Sequence, residues 1–127
     1  MLKRRKKAQP IHSFEELQEM ADTGKPILVD FFQYSCAPCQ VMEGIVNEIA
    51  DDFDGAAHVV KINVQHAPWA VQKFKIRSTP TFLVLAAPRD AAAKPGVLQQ
   101  RWRGQGTQNK AVLAELLIKA GAELPAS

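Results

Sequence analysis

Apolar and polar positions follow two rhythms along this chain, one of helices and one of strands. Phe14, Leu17, Met20 and Ala21 recur at the three-to-four spacing of a helix face, and Gly24 supplies a stop. Ahead of them, Ser13-Phe14-Glu15-Glu16 reads as a capping box, the serine reaching forward and Glu16 reaching back. The rhythm then changes. Ile27-Leu28-Val29-Asp30-Phe31-Phe32 is a short, nearly unbroken apolar run, the pattern of a strand buried on both faces. Helical spacing returns over Val41, Met42, Ile45, Val46, Ile49, Ala50 and Phe53, predicting a helix over 37–53 closed by Asp51-Asp52-Phe53-Asp54-Gly55. Val59, Val60, Ile62 and Val64 predict a second strand within 57–64.

The second half repeats the alternation. His66-Ala67-Pro68 opens a short helix through Trp69, Val71 and Phe74, with Trp69 as a packing residue. Thr79 to Leu85 predicts a third strand with Pro80 at its head, where a missing N–H does least harm. Ala86 to Gly96 carries loop signals, Val97 to Arg103 predicts a partner strand, and Gly104-Gln105-Gly106 breaks it. Thr107 caps a last helix with Val112, Leu113, Leu116, Leu117 and Ala120 on one face and Gly121 at its end. Strands alternating with helices imply crossover units and a parallel portion of sheet, while the last two strands pair as a hairpin. The class is α/β, a mixed sheet of four strands with helices on both faces.

Composition narrows this picture. A chain of 127 residues, 46% hydrophobic, suits one domain with a proper core, placed at 11–122 between a basic tail at 1–10 and a frayed end at 123–127. No apolar stretch approaches the roughly 18 residues of a membrane span. The charged start lacks an apolar segment behind it, so it is no intact secretory signal and the expected address is cytoplasmic. A periplasmic or membrane-tethered address would require the chain to be part of a longer one. The net charge is +3, yet Lys3 to Lys7 alone supply five positive charges, leaving −2 on the rest. The basic character therefore belongs to the tail, expected to be solvated and disordered; its functional reading is a tether to nucleic acid or anionic lipid.

Both cysteines lie in Ser35-Cys36-Ala37-Pro38-Cys39-Gln40, between the first strand and the long helix. Disulfide-stapled domains spread their cysteines, and a zinc site needs further ligands at recognisable spacing, which the scattered His12, His58 and His66 do not supply. A thiolate at Cys36 would face the unpaired N–H groups and positive dipole end of the helix, which lowers its pKa and makes it reactive at neutral pH. Pro38 is tolerated because the first helical turn has no use for its N–H. Gly44 weakens the same helix and marks a bend. Asp30 is a carboxylate inside an apolar run, costly to ionise and so a candidate for proton transfer. Lys61, in the second strand, is read as a cation offsetting it.

Val29-Asp30-Phe31-Phe32, Cys36-Ala37-Pro38-Cys39, Lys61 and Ser78-Thr79-Pro80-Thr81, taken with the element order, resemble the thioredoxin family over about Ser13 to Ala120. The resemblance implies a thioredoxin-like fold with a sheet of four to five strands and a thiol-disulfide oxidoreductase that reduces protein disulfides. Cys36 would be the attacking thiol and Cys39 the resolving one. Asp30 would be the buried acid that helps Cys39 lose its proton, with Lys61 beside it. Pro80 would be a cis-proline packed on the disulfide, with Thr79, Ala37, Pro38 and Gly104 lining the substrate path. No prosthetic group is implied, since the two cysteines carry the electrons. The partners would be protein disulfides and an electron-donating reductase, the protein itself acting as a monomer. The alternatives are a disulfide oxidase or isomerase, and a non-catalytic adaptor held by the basic tail.

The chain also departs from the family pattern. Ala37 stands where glycine is usual, Ser35 and Phe32 replace tryptophans, and Gly44 replaces a helix-bending proline. Arg103 and Gln105 flank Gly104, making the expected docking rim polar and cationic and a standard thioredoxin reductase a doubtful donor.

Overall fold

The computed structural model describes residues 5–89 and 97–124. Its elements are β1 (Gln9–Pro10), α1 (Phe14–Ala21), β2 (Ile27–Phe32), α2 (Ala37–Asp52), β3 (His58–Asn63), a 3₁₀ turn (Val64–His66), α3 (Pro68–Phe74), β4 (Thr81–Ala86), β5 (Gln99–Gln105) and α4 (Lys110–Lys119). One sheet runs β1-β3-β2-β4-β5, parallel across β1, β3 and β2 and antiparallel from β2 through β4 to β5.

The two-fold alternation of β2 and β4 divides the core into two layers. Leu28, Phe82 and Val84 face α2 and α4, packing on Met42, Val46, Ile49, Leu113 and Leu117. Ile27, Val29, Phe31, Leu83 and Leu85 face the other way, onto Leu17 and Ala70 of α1 and α3. Both faces are covered, which is why β2 reads as a continuous apolar run. Asp30 shares the parity of Leu28 and therefore lies beneath α2.

Several boundaries differ from the sequence reading. Residues 8–10 are not part of a disordered tail: Gln9 and Pro10 pair with Val60 and Lys61 as an edge strand, and Ala8 is buried. Two side chains of α2 hold the approach, Asp51 accepting from the Lys6 N–H at 2.9 Å and Asn47 from the Ala8 N–H at 3.0 Å. A two-residue strand has no periodicity to detect. Lys3 and Arg4 lie outside the described residues, and Arg5 to Lys7 run beside the acidic carboxyl end of α2. Much of the 86–96 connection and residues 125–127 also lie outside the described residues, whereas Ala86 itself belongs to β4.

Gly104 and Gln105 continue β5 instead of breaking it. The cap of α4 is Asn109, whose side chain accepts from the Ala111 N–H at 2.8 Å, not Thr107. In α1 the Ser13 hydroxyl caps Glu16 as expected, but the Glu16 carboxylate reaches one residue further back, to the His12 N–H at 2.9 Å. Helix α2 runs unbroken through Gly44, and a Cβ built there meets nothing within 4 Å. Gly44→Ala is therefore expected to stabilise the protein by about 1 kcal/mol, the helix-propensity difference, seen as a higher urea midpoint at unchanged slope.

Candidate active site

The chain turns from β2 into α2 through Gln33 to Cys36, and Cys36 is the N-cap of the helix in extended backbone. Its Sγ accepts the Cys39 N–H at 3.2 Å, the bond a serine or aspartate makes at other helix starts. Cys36 and Cys39 form a disulfide with their Cα atoms 5.2 Å apart, and both are largely buried. Ala37 and Pro38, between them, are exposed. Tyr34, just before the motif, is 68% exposed, so an aromatic ring is offered to solvent one position from where the family's tryptophan stands. Its ring meets Phe32 and His66 edge-on, at 5.9 and 6.4 Å.

Strand register gathers the remaining candidates. Lys61, Asp30, Phe82 and Gly104 form one cross-strand row, all on the face that carries α2. Pro80 and Thr79 immediately precede β4, at the end of the sheet where β2 stops, because Phe31 pairs with Thr81 and Thr81 with Gln105. The Thr79–Pro80 peptide bond is cis, Pro80 is buried, and its carbonyl accepts the Gly106 N–H at 2.9 Å. Gly104 has no room for a side chain: a Cβ would collide with the Trp102 ring and come within 3.0 Å of Gln108 Nε2.

Behind the disulfide lies a cleft of about 620 Å³. Asp30, Phe32, Lys61 and Asn63 form its floor, Cys39, Gln40 and Glu43 of α2 its roof, and Tyr34 and His66 part of its wall. Asp30 is 5% exposed, and its Oδ1 has no hydrogen-bond partner among the described residues. Burial pushes its carboxyl up from the ordinary 3.8 to about 7. Lys61 pulls the other way and Glu43 adds to the rise. Lys61 does not close an ion pair with Asp30; its Nζ stands 5.6 Å from the centre of the Phe32 ring. The lysine thus offsets the acid through the field across the row. Among the described residues no cluster of three or more His, Cys, Asp or Glu side chains gathers as a metal site.

Arg103 is the exception to the sequence reading of this face. Lying one position from Gly104, it points to the opposite layer, where Nη1 and Nη2 donate to the carbonyls of Phe74 and Lys75 at 2.6 and 2.7 Å. It closes the carboxyl end of α3 rather than charging the docking rim. Glu43 and Tyr34 were not singled out from the sequence. For Glu43 the signal was present: it follows Cys39 by four residues, one helical turn.

Comparison with known proteins follows the same outline. The thioredoxin family model matches residues 9–103, from β1 into β5. The chain belongs to the thioredoxin family. Thioredoxin Y2, a chloroplastic protein of Arabidopsis thaliana, is 35% identical over 106 residues, covering 84% of this chain and 58% of that protein. A thioredoxin of Acidithiobacillus ferridurans is 35% identical over 88 residues, 69% of this chain and 80% of that one. Against five curated thioredoxins, Y2 among them, the chain spans 44% to 65% of the relative's length. Among solved structures, a mutant thioredoxin from Halobacterium salinarum superposes with a TM-score of 0.76 at 23% identity, over 98% of this chain and 100% of that one. That likeness establishes the thioredoxin fold. No helix among the described residues is long and apolar enough to cross a membrane.

Proposed function

We propose that this thioredoxin-family protein reduces disulfide bonds in other proteins by dithiol–disulfide exchange. The observation that carries the reading is the position of Cys36 at the N-cap of α2, its sulfur accepting the Cys39 N–H. A thiolate there keeps that hydrogen bond and gains the helix dipole, which together favour ionisation near neutral pH. The Cys36 thiolate attacks one sulfur of the substrate disulfide; the other leaves as a thiolate and takes up a proton. Cys39, once deprotonated, attacks the Cys36 sulfur of the mixed disulfide and releases the second substrate thiol. The protein ends as the Cys36–Cys39 disulfide, and two electrons from a reductase or a small dithiol restore it.

Asp30 is the acceptor for the Cys39 proton in this scheme, since both groups line one cleft and Asp30 titrates in the range where a thiol must be discharged. Lys61 moderates the acid. Pro80, Thr79, Gly104, Ala37 and Pro38 form the substrate path at the end of the sheet, with the Trp102 ring packed over Gly104 as part of its wall. Reduction in this direction suits a cytoplasmic address and a monomer working with a separate electron donor.

Reduction of insulin in the presence of dithiothreitol tests the reading, with turbidity expected well ahead of the dithiothreitol control. An unchanged lag would overturn it. The rim adds a further expectation. Because Arg103 serves α3, Arg103→Ala should cost about 1–2 kcal/mol in a urea melt. It should leave the low-salt rate with an acidic-flanked disulfide peptide within twofold of the parent. A larger loss would return Arg103 to the docking surface.

A further inference from the structure

We propose that Glu43 is a positioning residue for the dithiol chemistry: its carboxylate, on the roof of the cleft, sets the pH at which Asp30 gives up its proton. The inference deepens the proposed function, and its first measurement is independent of that function. Glu43 lies four residues beyond Cys39, so both side chains project from the same face of α2 over the cleft floor. Asp30 is below them, buried, with one oxygen unpartnered. Among the described residues, the charges that act on Asp30 are those of Lys61 and Glu43. Lys61 stands beside it on β3, Glu43 above it on α2, and Phe82 of β4 contributes only an apolar ring. His12 and His66 line the cleft farther along.

Among the described residues no counter-ion closes on the acid, so the proton on Asp30 is governed by burial and by two opposed fields. Lys61 favours the carboxylate, and Glu43 opposes it. Glu43 is itself exposed and forms no ion pair among the described residues, so its charge is available to act across the cleft. A negative charge at this position also discourages a second one on Cys39, one helical turn away. Glu43 therefore favours a protonated Asp30 while the first thiol attacks. Asp30 then becomes the base only when the pH is high enough.

The test is titration of the Asp30 carboxyl by carbon NMR in the oxidised protein, wild type against Glu43→Gln. The midpoint should move down by about 0.3–0.5 pH unit at low salt, and by less than half of that in 0.5 M salt, as a screened charge requires. Glu43→Asp, which keeps the charge, should leave the midpoint close to that of the wild type. In the reduced protein the pH profile of mixed-disulfide resolution should move the same way by a similar amount. A midpoint that stays within 0.1 unit or moves up in Glu43→Gln overturns the proposal. So does an equal shift in Glu43→Asp, which would make the effect one of shape. If the titration moves but insulin is not reduced, it is the proposed function that fails and not the role of Glu43.

Discussion

Cys36→Ser is expected to reduce insulin no faster than dithiothreitol alone, a loss of about 10³-fold or more, while Cys39→Ser accumulates a mixed disulfide with the substrate. The asymmetry comes from the helix. Cys36 is the N-cap and its sulfur already accepts a backbone N–H, whereas Cys39 lies inside the first turn, facing the cleft. Charge at a helix start is favoured by roughly 0.3–1 kcal/mol, more when partly buried, and the hydrogen bond to Cys36 adds to it. In the reduced protein, iodoacetamide should therefore label Cys36 at least about tenfold faster than Cys39 near pH 7, read by mass spectrometry of the tryptic peptide. Equal rates would remove the division of labour between the thiols.

Asp30→Ala should make the oxidised protein more stable, and by an amount that depends on pH. Burial raises the Asp30 carboxyl to about 7, against 3.8 for the same group in an unfolded chain. Below about pH 4 both states hold the proton and the acid costs nothing electrostatically. As pH rises from about 4 to 7 the unfolded chain ionises while the folded one stays protonated, so wild-type stability falls throughout that window. Above about 7 both states are ionised and the deficit is constant, near 4 kcal/mol from the roughly three-unit separation. The advantage of Asp30→Ala in urea melts should follow the same course, growing from pH 4 to 7 and levelling off above. In the reduced protein the same variant should slow resolution by about 10²-fold, the usual contribution of a positioned base, and leave the first attack nearly unchanged. Parallel stability curves and equal resolution rates would mean that Asp30 is solvated and takes no part in the chemistry.

Much of this site was legible because the motif straddles a change of rhythm. Ile27 to Phe32 could only be a strand covered on both faces, Val41 to Phe53 a helix, and the dithiol had to sit at their junction. The single charge in the strand marked the buried acid without any structure. What escaped had weaker local signals. The edge strand Gln9–Pro10 is too short for alternation to register, and it is held by pairing with β3, distant in sequence, and by two α2 side chains at its approach. Thr107 and Asn109 are both good capping residues two positions apart, and only the packing of α4 on α2 chooses between them. Val41 and Val112 belong to the expected apolar faces but stand 64% and 45% exposed, since a helix lying on a sheet buries a narrower stripe than its pattern suggests. For Arg103, proximity to Gly104 in sequence does not give direction. Neighbouring strand residues face opposite layers, so an arginine beside Gly104 had to leave Gly104's side of the sheet.

The row that joins Lys61, Asp30, Phe82 and Gly104 also limits how this protein can change over time. Its members come from four strands and share one face only because three pairings are held in register at once. A one-residue insertion in β2 that kept the flanking pairs would turn Asp30 away from Cys39 into the packing of α1 and α3 and bring an apolar neighbour under the dithiol. Point substitutions at the motif can vary the chemistry by degrees, as Cys-Ala-Pro-Cys varies on Cys-Gly-Pro-Cys. Length changes inside the inner strands have no such intermediate, and gains and losses of residues are tolerable only in the connections, away from the row.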